Sequence, residues 1–183
     1  FEEGRFLCYD KEKSIYSLYA DFPNLEELSE LSMIEKSLVF SGTSIVMNDT
    51  HLVSCFGGRL DFFRIEEGGS LTFLNSRHYF LPHFEVNLSG GNLLSYWDSD
   101  PEFFFGMRAQ GDRIYVLYSG KDFKTYGYGC QYCNSLLVYD WAGNPVANYY
   151  LPKSLTAFTI VGNRIYGVCK EVEAMLYIYE LPK

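Results

Sequence analysis

Pairs of apolar runs joined by tight polar turns, each followed by an aromatic strand and a hairpin, predict an all-β chain of four-stranded antiparallel blades, a β-propeller present in part. Three observations carry this expectation. "SIVMNDTHLVSCF", "FFGMRAQGDRIYVLYSG" and "FTIVGNRIYGVC" are each two β-rich runs around a turn at Asn48-Asp49, Gly111-Asp112 or Gly162-Asn163. These residue types accept positive φ or bond to their own backbone. A more aromatic run follows each pair, "GRLDFFRIE", "SLLVYDWA" and "AMLYIYELP", with an earlier relative in "RFLCYD". Equivalent runs recur at about fifty residues, a spacing that matches one blade.

In chain order, residues 1–23 read as the last two strands of a blade and residues 24–43 as a helical or loop connection. Residues 44–82 form a blade, 83–103 a connection, 104–152 a second blade, and 153–183 three strands of a C-terminal blade. Hairpin turns at Lys11 to Lys13, Glu67 to Gly69 and Gly143-Asn144 lead into the fourth strands "SIYSLYADFP", "SLTFLNSRHYFLP" and "PVANYYLP". Each fourth strand is expected to stop at its proline, Pro23, Pro82 or Pro152, which has no N–H for the ladder. The segment 24–38, "NLEELSELSMIEKSL", breaks the β pattern. Asn24 as cap, Glu26 and Glu27 in the first turn, and Leu25, Leu28, Leu31 and Leu38 at helical spacing predict one or two helical turns between blades. The leucines read as core packing, with a partner-binding helix as the alternative. This layout leaves unpaired strand edges at both ends, which soluble proteins normally cover. The absent strands are expected from the rest of a longer protein or from another chain.

Composition narrows the function classes. The 183 residues are 48% hydrophobic and 18% aromatic, enough for a substantial core. A net charge of −8 and a pI of about 4.9, without a basic run, remove the electrostatic drive for nucleic-acid binding. No apolar run approaches the roughly 18–20 residues that span a bilayer, so no transmembrane segment is expected in this chain. No phosphate-binding glycine loop and no G-x-S-x-G elbow is present.

The succession "FEEGRFLCYD", "YADFPN", "LVFSGTSIVMND", "GRLDFFRI", "GDRIYVLYSGKDF", "LLVYDWAGNPVANYYL" and "NRIYGV" resembles the TolB-like six-bladed β-propeller family of Bacteroidetes over essentially the whole chain. Residues 111–122 and 135–152 carry the most specific part of the likeness. The resemblance implies a six-bladed propeller whose N-terminal blades are absent here. It also implies an exported protein or lipoprotein of the periplasm or outer membrane, and it carries no catalytic motif onto numbered positions. The chain departs from the family at Cys130 and Cys133.

That C-x-x-C pair is the sharpest chemical signal in the sequence. A structural zinc site needs about four ligands, and His51, His78 and His83 lie far from the cysteines in sequence. A redox pair belongs at a helix N-terminus in a βαβ unit, whereas this one sits in a Gly/Tyr-rich insertion between strands. Two free thiols in a loop are the leading expectation, with a local Cys130–Cys133 disulfide as the alternative that an exported protein allows. Cys8, Cys55 and Cys169 read as small core hydrophobes. Tyr126, Tyr128 and Tyr132 cluster in the same insertion and are the candidate ligand-binding residues, unless they cover their own blade. "DSDPE", residues 98–102, reads as a solvated acidic turn, and "NLSGGN", residues 87–92, as a flexible one. No cofactor is expected. The expected function is a non-catalytic module that binds a protein or glycan partner through loops on one face. The alternative is a calcium-dependent hydrolase of a lactone or ester, for which the axial candidates Asn48, Asp49, Asp112 and Asn163 read better as turn formers.

Overall fold

The computed structural model describes residues 4–41, 43–87, 94–170 and 173–182. Hairpin β1 (Phe6–Asp10) and β2 (Ile15–Tyr19) opens the chain. A 3-10 turn, Glu26–Leu28, and helix α1 (Met33–Val39) precede the first four-stranded antiparallel sheet. That sheet is β3 (Ser44–Met47), β4 (His51–Phe56), β5 (Gly58–Ile65) and β6 (Leu71–Phe80), paired in chain order. A short hairpin, β7 (Phe84–Val86) and β8 (Leu94–Tyr96), leads to a second four-stranded sheet. Its strands are β9 (Pro101–Gln110), β10 (Arg113–Asp122), β11 (Cys133–Asp140) and β12 (Pro145–Leu155), with α2 (Phe123–Tyr126) inserted between β10 and β11. Strands β13 (Ala157–Val161), β14 (Arg164–Lys170) and β15 (Ala174–Glu180) make a three-stranded sheet. The chain is therefore all-β with four-stranded antiparallel sheets.

Period-two alternation stacks these sheets face to face. Along β5, Leu60 and Phe62 point to one side, while Arg59, Asp61 and Phe63 point to the other. Leu60 and Phe62, with Val53 and Cys55, pack on Met107, Ile114, Val116 and Tyr139 of the second sheet. The far face of the second sheet sets Tyr115, Leu117, Leu136 and Val138 against Phe158 and Ile165 of the third. On the opposite side of the first sheet, Phe6 of the hairpin meets Leu52 and Phe63, ring edge to ring face at 5.5 Å for the two phenylalanines. Polar links follow the same order. The Tyr79 and Tyr139 hydroxyls lie 2.6 Å apart, Arg77 Nε donates to Gly143 O at 2.6 Å, and Gln110 Nε2 donates to Gly162 O at 2.5 Å.

The turns follow the residues that predicted them. Gly111 and Gly162 take φ of +59° and +61°, values that a side chain would strain. Asn48 Oδ1 accepts from Thr50 N at 2.9 Å and His51 N at 2.7 Å, closing its turn with its own side chain.

Three expectations change. The helical connection is capped by Ser32 and not by Asn24. Ser32 Oγ accepts from Glu35 N, and the Glu35 carboxylate accepts from Ser32 N, a reciprocal box that starts α1 eight residues later. Strand β12 runs through Pro152 to Leu155, because it is the sheet's edge strand and an outward-facing proline costs it no ladder bond. The connection 83–103 contains the β7–β8 hairpin. The turn expected at residues 87–92 lies beyond Asn87 outside the described residues. Leu28 is buried and Leu25 and Leu31 pack beside it, so these leucines serve the core.

The two ends of the stack differ from its middle. On the first hairpin Leu7, Tyr9 and Tyr16 are exposed, the two tyrosine rings stacked at 4.6 Å. On the last sheet Val161, Val168, Leu176 and Ile178 are exposed on one face. Among the described residues no helix is long and apolar enough to cross a membrane.

Candidate functional site

The insertion between β10 and β11 is built, not loose. Asp122 caps α2 by accepting from Thr125 N at 2.6 Å, and a 3-10 turn, Gly127–Gln131, returns the chain to β11. Hydrogen bonding from the Thr125 side chain, with a smaller share from its backbone amide, holds the Asp122 carboxyl below its usual range. Phe123, Tyr126 and Tyr128 stand exposed on this platform, Tyr128 the most, at 76%. The rings of Phe123 and Tyr128 meet edge to face at 5.5 Å, and Lys121 Nζ lies 5.9 Å from the Tyr126 ring centre. Tyr132 does not join them. It is half-buried, with its carbonyl accepting from Lys121 Nζ at 2.7 Å.

Beneath the platform sit both cysteines, each buried. Ser119 Oγ donates to the carbonyl of Cys130, and Cys133 Sγ lies 3.5 Å from Gln131 O. All five cysteines fall within the described residues and are free in this structure, Cys130 and Cys133 among them. Burial pushes the Cys130 thiol up and the Cys133 thiol up to about 12. Burial thus favours the protonated thiol at both positions. They act as the apolar root of the loop.

The histidines have other work. His83 Nδ1 lies 3.0 Å from Asp100 Oδ1, and His51 Nδ1 lies 2.9 Å from Thr50 Oγ1. The acidic turn is thereby partly engaged, with Asp100 also accepting from His83 N at 2.5 Å. Among the described residues no cluster of three His, Cys, Asp or Glu side chains is placed to hold a metal. Asp112 pairs with its neighbour Arg113 at 2.7 Å on the surface, and Asn48 is spent on its own turn.

A second constellation escaped the sequence reading. Asp61 of β5 is 1% exposed and joins two arginines: Arg5 Nη1 at 2.5 Å and Arg59 Nε at 2.7 Å. Arg5 Nη2 donates to buried Ser54 at 3.1 Å, and its guanidinium lies 4.5 Å from the Phe40 ring centre and 5.1 Å from that of Phe6. Burial and the nearby Arg59 lower the Arg5 pKa, while Asp61 opposes the shift. The signal was the R-x-D alternation in "GRLDFFRI", which sets Arg59 and Asp61 on one face of a strand. Its partner Arg5, fifty-six positions away, has no local signature.

No family model and no curated protein matches the sequence. Among solved structures, the computationally designed Ika4 protein is similar at 12% identity and a TM-score of 0.43, covering 76% of this chain and 66% of that one. The designed Ika8 protein is similar at 9% identity and a TM-score of 0.33, covering 75% of this chain and 45% of that one. The chain thus spans less than two thirds of the length of either.

Proposed function

We propose that this chain is part of a six-bladed β-propeller of the TolB-like type, acting as a non-catalytic binding module. In this reading each sheet is a blade, and the aromatic loop of the 104–152 blade is the recognition surface for a protein or glycan partner. The observation that carries the binding reading is the platform itself: Phe123, Tyr126 and Tyr128 are exposed on a short segment anchored by Asp122 and by two buried cysteines. Exposed aromatic rings on a rigid base offer contact area with little ordering cost. The apolar end faces on β1–β2 and β13–β15 support the propeller reading, since further blades supplied by the rest of a longer protein or by another chain would cover them. The resemblance of the sequence to exported Bacteroidetes proteins supports a location in the periplasm or at the outer membrane.

The test is binding of a glycan array and of a peptide-display library by the protein and by its Tyr126→Ala/Tyr128→Ala variant. Loss of a reproducible partner in the variant, at unchanged melting temperature, supports the reading. A partner retained by the variant moves recognition elsewhere, and catalytic turnover of a lactone or ester that depends on Ca²⁺ replaces the module with the hydrolase.

A further inference from the structure

We propose that a second pocket, over Arg5, Arg59 and Asp61, binds a carboxylate carried on an apolar body. The cavity measures about 370 Å³ and lies between Arg5 with the segment that follows the first hairpin, residues 20–24, and strands β5 and β6 of the first sheet. Its polar floor is Arg5, Arg59 and Asp61, and its walls include Phe22, Phe63 and Phe73.

Charge is the first argument. Among the described residues two guanidinium groups share one carboxylate, so the buried cluster they form carries one excess positive charge. A buried excess charge is costly until an anion or an additional acceptor meets it. Donor accounting is the second. Asp61 takes one bond from each arginine, and Ser54 takes a third from Arg5. Arg59 bonds Asp61 through Nε, and its side chain, 10% exposed, lines the cavity. Among the described residues Arg5 Nε is buried without a hydrogen-bond partner. The paired Nη groups of an arginine match the two oxygens of one carboxylate.

The walls set the rest of the ligand. Phe22, Phe63, Leu71 and Phe73 line the cavity, and Phe73 is 55% exposed, so an aromatic or branched aliphatic body would cover it. Among the described residues Asp21 on the rim is the other charged group lining the cavity. It is exposed and forms no ion pair within 4 Å of either arginine, so it repels an entering anion weakly. Two sources share this chemistry: a small organic acid, and the C-terminal carboxylate of a peptide ending in an apolar residue. The pocket is separate from the aromatic loop, which lies in the second sheet.

The test is calorimetric titration of the protein with N-acetyl-L-phenylalanine, its uncharged amide, acetate, and a peptide ending in Phe. The acid is expected to bind, with the amide and acetate at least tenfold weaker, as loss of a charged hydrogen-bonded pair or of the apolar body requires. Asp21→Asn should tighten the acid, and Phe73→Ala, a change at a wall that is 55% exposed and meets Phe63 ring edge to ring face at 5.7 Å, should weaken it. Arg59→Gln should abolish binding while circular dichroism stays native. A peptide tighter than the acid assigns the peptide source, and the reverse assigns the small acid. Equal binding of acid and amide, equal binding of acetate, no binding at millimolar acid, or affinities unmoved by both Asp21→Asn and Phe73→Ala would overturn the proposal.

Discussion

Gly167→Ala tests whether the third sheet docks on the second as a fitted interface. Gly167 sits in β14 between its partners Phe158 and Tyr177, and Leu155 of β12 fills the notch that its missing side chain leaves. A Cβ at this position would lie 2.5 Å from Leu155 Cδ2 and 2.9 Å from Cγ. Carbon atoms in contact lie about 3.5–4.0 Å apart, so Leu155 must retreat by roughly 1 Å. It has nowhere to go: it is 0% exposed, in a cluster with Cys133, Leu136, Leu151 and Phe158. Overpacking of this kind costs about 1–3 kcal/mol, against about 0.4–1 kcal/mol returned by stiffening the unfolded chain. The net loss of about 1–2 kcal/mol corresponds to a fall in melting temperature of about 2–8 °C for a chain of this size. Leu155→Ala alone should cost about 2–5 kcal/mol. In the double variant the new methyl enters the vacated space, so the two losses should fall short of additive by about 1 kcal/mol or more, read by urea unfolding. A neutral Gly167→Ala variant, or strictly additive losses, would refute the docking of these two sheets.

Other predictions follow from single sites. Native protein treated with a disulfide reagent at pH 8 should label Cys8 and leave Cys55, Cys130 and Cys133 unmodified until denaturant is added, because burial keeps these thiols protonated. The folded Cys133 holds its proton to about 12, whereas an unfolded thiol releases it near ~8.5, so stability is lost as pH rises through that window. Cys133→Ala should flatten the slope of urea stability between pH 8 and 10, and an unchanged slope would count against the buried thiol. Asp61→Ala leaves two guanidinium groups without their carboxylate and should destabilise by about 3–5 kcal/mol in chemical denaturation; a variant within about 1 kcal/mol of the parent would contradict the buried triad. Gly143→Ala combines a φ of +84° with a Cβ 2.8 Å from the Phe62 ring. It should lower the melting temperature by several degrees, corresponding to about 1–3 kcal/mol of strain and overpacking.

Much of the strand plan was legible because its causes are local. The "GDRIY" and "GNRIY" turns need glycine at positive φ and alternating strands on each side, and both requirements are written in consecutive residues. The helical connection was legible only in part: acidic residues and leucines marked the segment, but Ser32 and Glu35 formed the cap that Asn24 was expected to provide. Pro152 misled because an edge strand tolerates a proline, and which strand lies at an edge follows from sheet order. In the aromatic loop the sequence left open whether the tyrosines face solvent or cover their own blade; Tyr126 and Tyr128 are exposed, while Tyr132 is half-buried with its carbonyl bonded to Lys121.

Taken alone, the sequence determined the all-β class, the four-stranded repeat and the positions of its turns, since these depend on period-two patterning and on the φ preferences of neighbouring residues. Tertiary structure decided which thiols are buried, which tyrosines reach solvent, and that Arg5 crosses fifty-six positions to share Asp61 with Arg59. Burial and charge pairing depend on distances between residues remote in sequence, and those distances exist only after the sheets have stacked.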